Sequence, residues 1–202
     1  MKHIKANIKA HLATSMIIFI TVAIYLITGQ GLGQNVYYFS FDWQLILSGQ
    51  VHRLFTPSFL HISSMGFPIA LLLYCALFWF LSGKLEKVKG SFYIMGLFLI
   101  ISTLVNLFMF ASDWFLGGFI GTFHTFSGLA SVCYGLLGFF VIRKRYDPFF
   151  PIVLDQQLII LMGIGLIIGF VGLQAHIFST AHLFGLLTGG LLGFITAKTK
   201  VF

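Results

Sequence analysis

Six long apolar runs, separated by polar, aromatic or basic segments, dominate the pattern along this chain. A helix that crosses a bilayer needs about 20 mainly apolar residues, within a range of about 17–25. The pattern predicts six membrane spans at Leu12–Thr28, Met65–Leu81, Phe92–Ala111, Gly128–Ile142, Leu158–Leu173 and Ala181–Ala197. The fourth run is short, and it reaches a spanning length when it is extended to begin at Phe126. We therefore expect a bundle of six transmembrane helices.

The composition of the chain also indicates a membrane protein. Hydrophobic residues make up 58% of the sequence and charged residues 8%, whereas a soluble domain carries about 25% charged residues. We predict an all-α membrane protein in which residues 1–202 form a single membrane domain. The two cysteines, Cys75 and Cys133, both lie in apolar runs, so we expect packed free thiols rather than a disulfide.

The basic residues are distributed unequally between the two sides of the predicted bundle. Eleven of the 12 lie on one side: Lys2, Lys5, Lys9, Lys84, Lys87, Lys89, Arg143, Lys144, Arg145, Lys198 and Lys200. Only Arg53 lies on the other. The positive-inside rule then predicts a multi-pass protein with both termini in the cytoplasm. The net charge of +7 therefore reflects orientation in the lipid bilayer, and we expect no nucleic-acid partner.

The segment Gly29–Ser64 falls on the outer side in this topology. It is rich in aromatic residues, including Tyr37, Tyr38 and Trp43, but polar residues interrupt it too often for a span. Aromatic side chains are enriched at the headgroup level of membranes. We predict a long first outer loop that lies in the interface.

His182 is the most informative polar residue, because an ionisable side chain inside a span is costly and marks a functional site by default. Spans four and six run in the same direction, so Ala130 and His182 are predicted to lie at a similar shallow depth on the outer side. Tyr134 lies one helical turn from Ala130, on the same face. The alternative is a structural histidine that bonds a neighbouring carbonyl.

Small residues recur on both of these spans. Gly185 and Gly189 have the small-xxx-small spacing on span six, and Gly128, Gly135 and Gly138 occur on span four. Such residues let helix backbones approach closely in lipid. The same pattern also fits generic packing glycines without a functional role.

Five stretches, in order along the chain, resemble the rhomboid family of intramembrane serine proteases of the bacterial six-helix type. They are His52-Arg53-Leu54-Phe55-Thr56-Pro57 with His61, Gly83 to Ser91, Gly128-Leu129-Ala130-Ser131 with Tyr134 and Gly138, Arg143 to Pro148, and Ala181-His182 with Gly185 and Gly189. His52 replaces the tryptophan of the family's first motif. The resemblance implies a rhomboid-like fold in a bacterial-type inner membrane. It also implies action on transmembrane-helix substrates near the outer, periplasmic face.

The resemblance also implies roles for individual residues. His182 matches the general base of a Ser–His dyad, Tyr134 the tyrosine that packs against that base, and Ala130 the nucleophile position. The family's histidine and asparagine that help to hold the oxyanion would fall at Gly66 and Ala70, which have no side-chain donor. We therefore expect that the chain as written does not hydrolyse peptide bonds.

Three explanations for Ala130 remain open. An engineered Ser→Ala substitution would inactivate an otherwise active protease. A natural pseudoprotease would bind transmembrane clients without cleaving them. Ser131 or Ser127 is a third candidate nucleophile. One residue along a helix turns the Ser131 side chain by about 100°, away from span six. Ser127 would lose the spacing to Tyr134 and Gly138.

No carboxylate is predicted to complete a triad. Asp113 is assigned to an outer loop, and Glu86, Lys87 and Asp147 are interpreted as solvated loop charges or helix caps. The expected chemistry is a dyad without metal or cofactor. His61 and His124 are further candidates for oxyanion donors.

Two unrelated functions remain as remote alternatives. A haem protein would pair histidines on facing helices. A transporter would show repeated halves that meet at the midplane.

Overall fold

The computed structural model describes residues 11–61, 68–115, 128–171 and 176–199. Within these ranges the chain forms seven α-helices and no strand. The helices are α1 (Leu12–Ile27), α2 (Trp43–Leu47), α3 (Ile69–Lys89), α4 (Ser91–Phe115), α5 (Gly128–Tyr146), α6 (Gln156–Val171) and α7 (His176–Lys198). Three 3₁₀ helices, η1 (Gln34–Tyr38), η2 (Val51–Leu54) and η3 (Thr56–Phe59), accompany α2 between α1 and α3.

The six long helices coincide with the six apolar runs. By length and composition, α3, α4 and the Thr180–Lys198 part of α7 are able to cross a membrane, whereas α1 and α6 are shorter apolar helices. The helical prediction for these runs is therefore confirmed.

Several helix boundaries differ from the predicted ones. Helix α3 begins after Pro68 and continues through the basic segment to Gly90, whose φ of +84° ends it. Helix α4 continues to Phe115, so Asp113 is a buried helical residue and its assignment to a loop was wrong. Helix α5 continues to Tyr146. Apolar runs mark the hydrocarbon core, but a helix does not end where its residues become polar.

Helix α5 is the centre of the bundle. Every residue from Leu129 to Phe140 is buried, and α5 packs most extensively against α7, with further contacts to α3 and α4. A helix that is apolar on all sides is suited to such a position. Residues on α5 are consequently surrounded by protein rather than by lipid.

Small residues set the distance between α5 and α7. A Cβ atom added at any of three α7 glycines would collide with an α5 backbone carbonyl: Gly185 with Ser131, Gly189 with Gly135, and Gly193 with Phe139. The constant spacing of four residues on both helices shows that they run parallel and in register. The predicted packing role of these glycines is confirmed.

The segment between α1 and α3 is held together by a buried cation. Arg53 is 2% exposed, and its Nη1 donates to the Tyr37 carbonyl at 2.6 Å and to the Ser40 carbonyl at 2.9 Å. Asn106 of α4 donates from Nδ2 to the Leu54 carbonyl at 2.8 Å. These bonds to backbone oxygens give the loop a defined position against the bundle.

Glu86 joins three helices at the opposite end. Its carboxylate accepts bonds from the backbone N–H groups of Ala13 and Thr14 at 2.7 and 3.0 Å, from the Thr14 hydroxyl at 2.6 Å and from the Ser91 hydroxyl at 2.6 Å. It is 3% exposed, so the interpretation as a solvated charge was wrong. The alternative, a helix cap, is confirmed: Glu86 caps the start of α1.

Candidate functional site

His182 and Tyr134 face each other across the interface of α5 and α7. Their ring centroids are 4.6 Å apart and the ring planes are inclined by 18°. This stacking depends on the small residue Gly185, which lets α7 approach α5 just below the histidine. The contact fixes the plane of the imidazole ring.

Tyr134 is itself anchored to a third helix. Its hydroxyl donates to the Met162 carbonyl of α6 at 3.0 Å. A Cβ atom at Gly165 would lie 3.1 Å from the same hydroxyl oxygen, so glycine at that position leaves the necessary space. Tyr134 thereby connects α5, α6 and α7 at the level of His182.

Ala130 lies one turn before Tyr134, in the first turn of α5, and is 7% exposed. The helix begins at Gly128, which has a φ of +62° and whose added Cβ would be 3.4 Å from the Leu60 carbonyl. The first turn of a helix has backbone N–H groups without intrahelical acceptors. The surroundings of Ala130 therefore include hydrogen-bond donors, whereas its methyl side chain has no proton to transfer.

Tyr74 is a component of this region that sequence reasoning missed. Its ring centroid lies 6.2 Å from that of His182 and 6.3 Å from that of His61, and His61 in turn lies 6.2 Å from Tyr25. Burial lowers the pKa of the His61 imidazole. A signal was present in the sequence, because Tyr74 follows Ala70 by four residues and so lies on the same face of α3.

The comparison with known protein families decides the assignment. The sequence pattern of the Rhomboid domain matches residues 48–199. The chain belongs to the rhomboid family. Two of its relatives are the Rhomboid protease GlpG of Salmonella typhi and that of Salmonella typhimurium, each 30% identical over 154 residues, or 74% of this chain and 50% of the relative. The chain thus spans about half the length of the curated relatives that it matches.

Family membership and the apolar helices together make this rhomboid a multi-pass membrane protein with an all-helical bundle. The stretches that suggested the family all lie in or near the matched region. Ala130, Tyr134 and His182 lie within it. The resemblance stated from the motifs is confirmed at the level of the family.

Of the two positions predicted to lack oxyanion donors, Gly66 and Ala70, the structure describes only Ala70. Gly66 lies outside the described residues. Ala70 lies in the first turn of α3, is exposed, and presents only a methyl group. His61 is separated from His182 by Tyr74 in the run of ring contacts. His124 also lies outside the described residues.

Ser131 is engaged by its own helix. Its hydroxyl donates to the Gly128 carbonyl at 2.8 Å, and its side chain is fully buried. Its carbonyl faces Gly185 of α7. The other alternative nucleophile, Ser127, lies outside the described residues.

The described part of the chain contains no candidate metal centre. Among the described residues, no three His, Cys, Asp or Glu side chains are grouped so as to hold a metal ion. Cys75 and Cys133 are free, buried thiols, as expected from their positions in apolar runs.

Proposed function

We propose that this chain carries the dyad scaffold of a rhomboid serine endopeptidase and does not hydrolyse peptide bonds as written. The observation that supports the proposal is the stacking of Tyr134 on His182 at 4.6 Å, one turn from Ala130. This arrangement orients the proposed general base, while the position one turn before Tyr134 carries no nucleophile. An alanine methyl offers His182 no proton to accept and offers a carbonyl no electron pair.

The chemistry of the corresponding serine form follows from the positions of three groups. A serine hydroxyl at position 130 would attack the scissile carbonyl while His182 accepts its proton. The free N–H groups in the first turn of α5 would stabilise the oxyanion. His182 would then protonate the leaving amine, and water would hydrolyse the acyl-enzyme with the same base. Tyr134 would keep the imidazole oriented through both steps.

The proposed orientation places six spans in an inner membrane, with cytoplasmic termini and the site near the outer face. Eleven basic residues on one side support it through the positive-inside rule. A transmembrane helix would enter from lipid between α3 and α6. In support of this route, α6 packs mainly against α7, so its far side is left to lipid.

A second candidate function is the binding of transmembrane clients without cleavage. Ala70 favours it, because the side chain at this position cannot donate a hydrogen bond and Gly66 shares that lack. Loss of one oxyanion donor in a serine protease lowers turnover by about 10²–10³-fold. A pseudoprotease tolerates such losses, whereas a protease inactivated by a single Ser→Ala change would be expected to retain its donors.

The test introduces a serine hydroxyl at position 130. The Ala130→Ser variant and the unmodified chain are reconstituted in liposomes with a model transmembrane substrate, and cleavage is followed by gel electrophoresis. Ala130→Ser/His182→Ala is the matched control, because it has the nucleophile without the base. Binding of the uncleaved substrate is measured in parallel by energy transfer between labelled helices.

Each outcome has a distinct meaning. Cleavage by Ala130→Ser but not by the double variant would establish the dyad and show that the unmodified chain lacks only a hydroxyl at position 130. A folded but inert Ala130→Ser variant that still binds the substrate would establish the pseudoprotease. Cleavage by the unmodified chain would refute the proposal. The codon at position 130 in the source gene separates a natural alanine from an engineered one.

A further inference from the structure

A cavity of about 350 Å³ lies where α5 ends and the chain leads into α6, remote from His182. Its described lining contains two basic side chains, Lys144 and Arg145, and six apolar ones. This is the basic end of the bundle, where the last turns of α3, α5 and α7 all carry Lys or Arg. The cavity combines a charged rim with an apolar wall.

Lys144 is held in place at this rim. Its Nζ donates to the Pro148 carbonyl at 2.7 Å and to the Phe150 carbonyl at 2.9 Å. Two neutral carbonyls orient the ammonium group but do not neutralise its charge. Arg145, the next residue, is exposed. A full positive charge therefore has a defined position beside a second, accessible one.

Two acidic residues lie near the lining residues in sequence and bond to other groups. Asp147 pairs with Arg143, with its Oδ2 3.4 Å from Nη2. Asp155 accepts the Gln157 backbone N–H at 2.9 Å, at the start of α6. No acidic residue is among the described residues that line the cavity. The side chains that line the cavity therefore carry positive charge only, which is complementary to an anion.

The apolar wall distinguishes a lipid from a free anion. Val153 is 64% exposed and Val141 is 38% exposed, and both line the cavity. Ile152 and Leu154 continue the wall as buried residues. An inorganic anion makes no use of such a surface, whereas the acyl chain of a lipid can pack along it without leaving an apolar environment.

We propose that this cavity binds an anionic phospholipid. The phosphodiester lies between Lys144 and Arg145, and an acyl chain lies along Val141 and Val153. Basic pockets on the cytoplasmic side of membrane proteins bind such headgroups. The leaflet that supplies the lipid follows from the orientation given under the proposed function, but binding itself requires neither that orientation nor any catalytic group.

The test measures lipid retention by the full chain. Protein purified in mild detergent is titrated with dioleoylphosphatidylglycerol or dioleoylphosphatidylcholine, and bound lipid is counted by native mass spectrometry. The Lys144→Gln/Arg145→Gln variant removes both cations. Lys84→Gln/Lys87→Gln is the matched control, because it removes one half-buried and one exposed lysine from the same end of the bundle. No substrate is present, so failure of the proposed function does not affect the result.

The expected result is preferential retention of phosphatidylglycerol by the unmodified chain and by the control variant. The Lys144→Gln/Arg145→Gln variant should bind it about 10- to 30-fold more weakly, given the usual contribution of two basic residues. Arg145→Gln alone, which leaves the bonds of Lys144 intact, should weaken binding about fivefold. Equal losses in the control variant, or equal retention of the two lipids, would overturn the proposal.

A second variant tests the apolar wall. Val153→Trp fills the mouth of the cavity without changing its charge and should also abolish the preference for phosphatidylglycerol. Unfolding temperature in detergent verifies that each variant is folded. Undiminished binding by folded Val153→Trp, or displacement of the lipid by millimolar inorganic phosphate, would show a surface anion site instead.

Discussion

Replacing Gly189 by alanine tests the packing on which the position of His182 depends. The added Cβ would collide with the Gly135 carbonyl oxygen and lie 2.5 Å from its carbon. The atoms in conflict are backbone atoms of a buried helix, so no side-chain rotation relieves the overlap. Helix α7 must move away from α5.

The size of the effect follows from this geometry. Ordinary contact of a Cβ begins at 3.4 Å, so the Cβ must withdraw from the Gly135 carbon by at least about 0.9 Å, and by more from the carbonyl oxygen, which is nearer. Overpacking of this kind costs about 1–3 kcal/mol. Alanine regains about 0.5–1 kcal/mol relative to glycine within a helix. The expected net loss is about 1 kcal/mol, or about 2–4 °C in unfolding temperature for a chain of this size.

Gly96→Ala is the matched control. Gly96 is also an interior helical glycine, but a Cβ added there meets nothing within 4 Å. This substitution should raise the unfolding temperature by about 1–4 °C. Both variants are measured by thermal unfolding in the same detergent, with circular dichroism as the signal.

The two substitutions should therefore change the unfolding temperature in opposite directions. If Gly189→Ala is as stable as the unmodified chain, or if both variants shift equally, the close contact between α5 and α7 does not limit stability.

Two further predictions concern buried polar groups outside the dyad. Glu86→Gln should lower the free energy of unfolding by about 3 kcal/mol, because the amide replaces one acceptor oxygen with a donor that faces other donors. Lys87→Gln, at an exposed position, is the control, and an equal loss of stability in both variants would contradict the capping role of Glu86. Burial lowers the pKa of His61 below its ordinary value of 6.5, so protonation favours the unfolded state, and stability should fall as the pH is lowered through and below that value. Between about pH 7.5 and 5, the unfolding temperature of His61→Gln should fall by less than that of the unmodified chain. An unchanged pH dependence in this variant would contradict the assignment of the effect to His61.

The helices, the family and the candidate dyad could be predicted from the sequence for a physical reason. Lipid imposes a length and a composition on each spanning segment, so each span leaves a continuous apolar run. The glycines of α7 recur every fourth residue, which is the local geometry of one helix face. The motifs around Ala130 and His182 also occupy short stretches. In each case the signal lies within one continuous segment of the chain.

Contacts between distant segments were decided by the tertiary structure. From the sequence, Glu86 was interpreted as a solvated loop charge. It is buried because α1 begins directly beside it. Tyr74 meets His182 because α3 presents that face to the site. Such contacts depend on the rotation and register of whole helices, which no single segment encodes. Hydrophobic pattern therefore determined which segments are helices, and the packing of glycine against backbone determined which side chains meet.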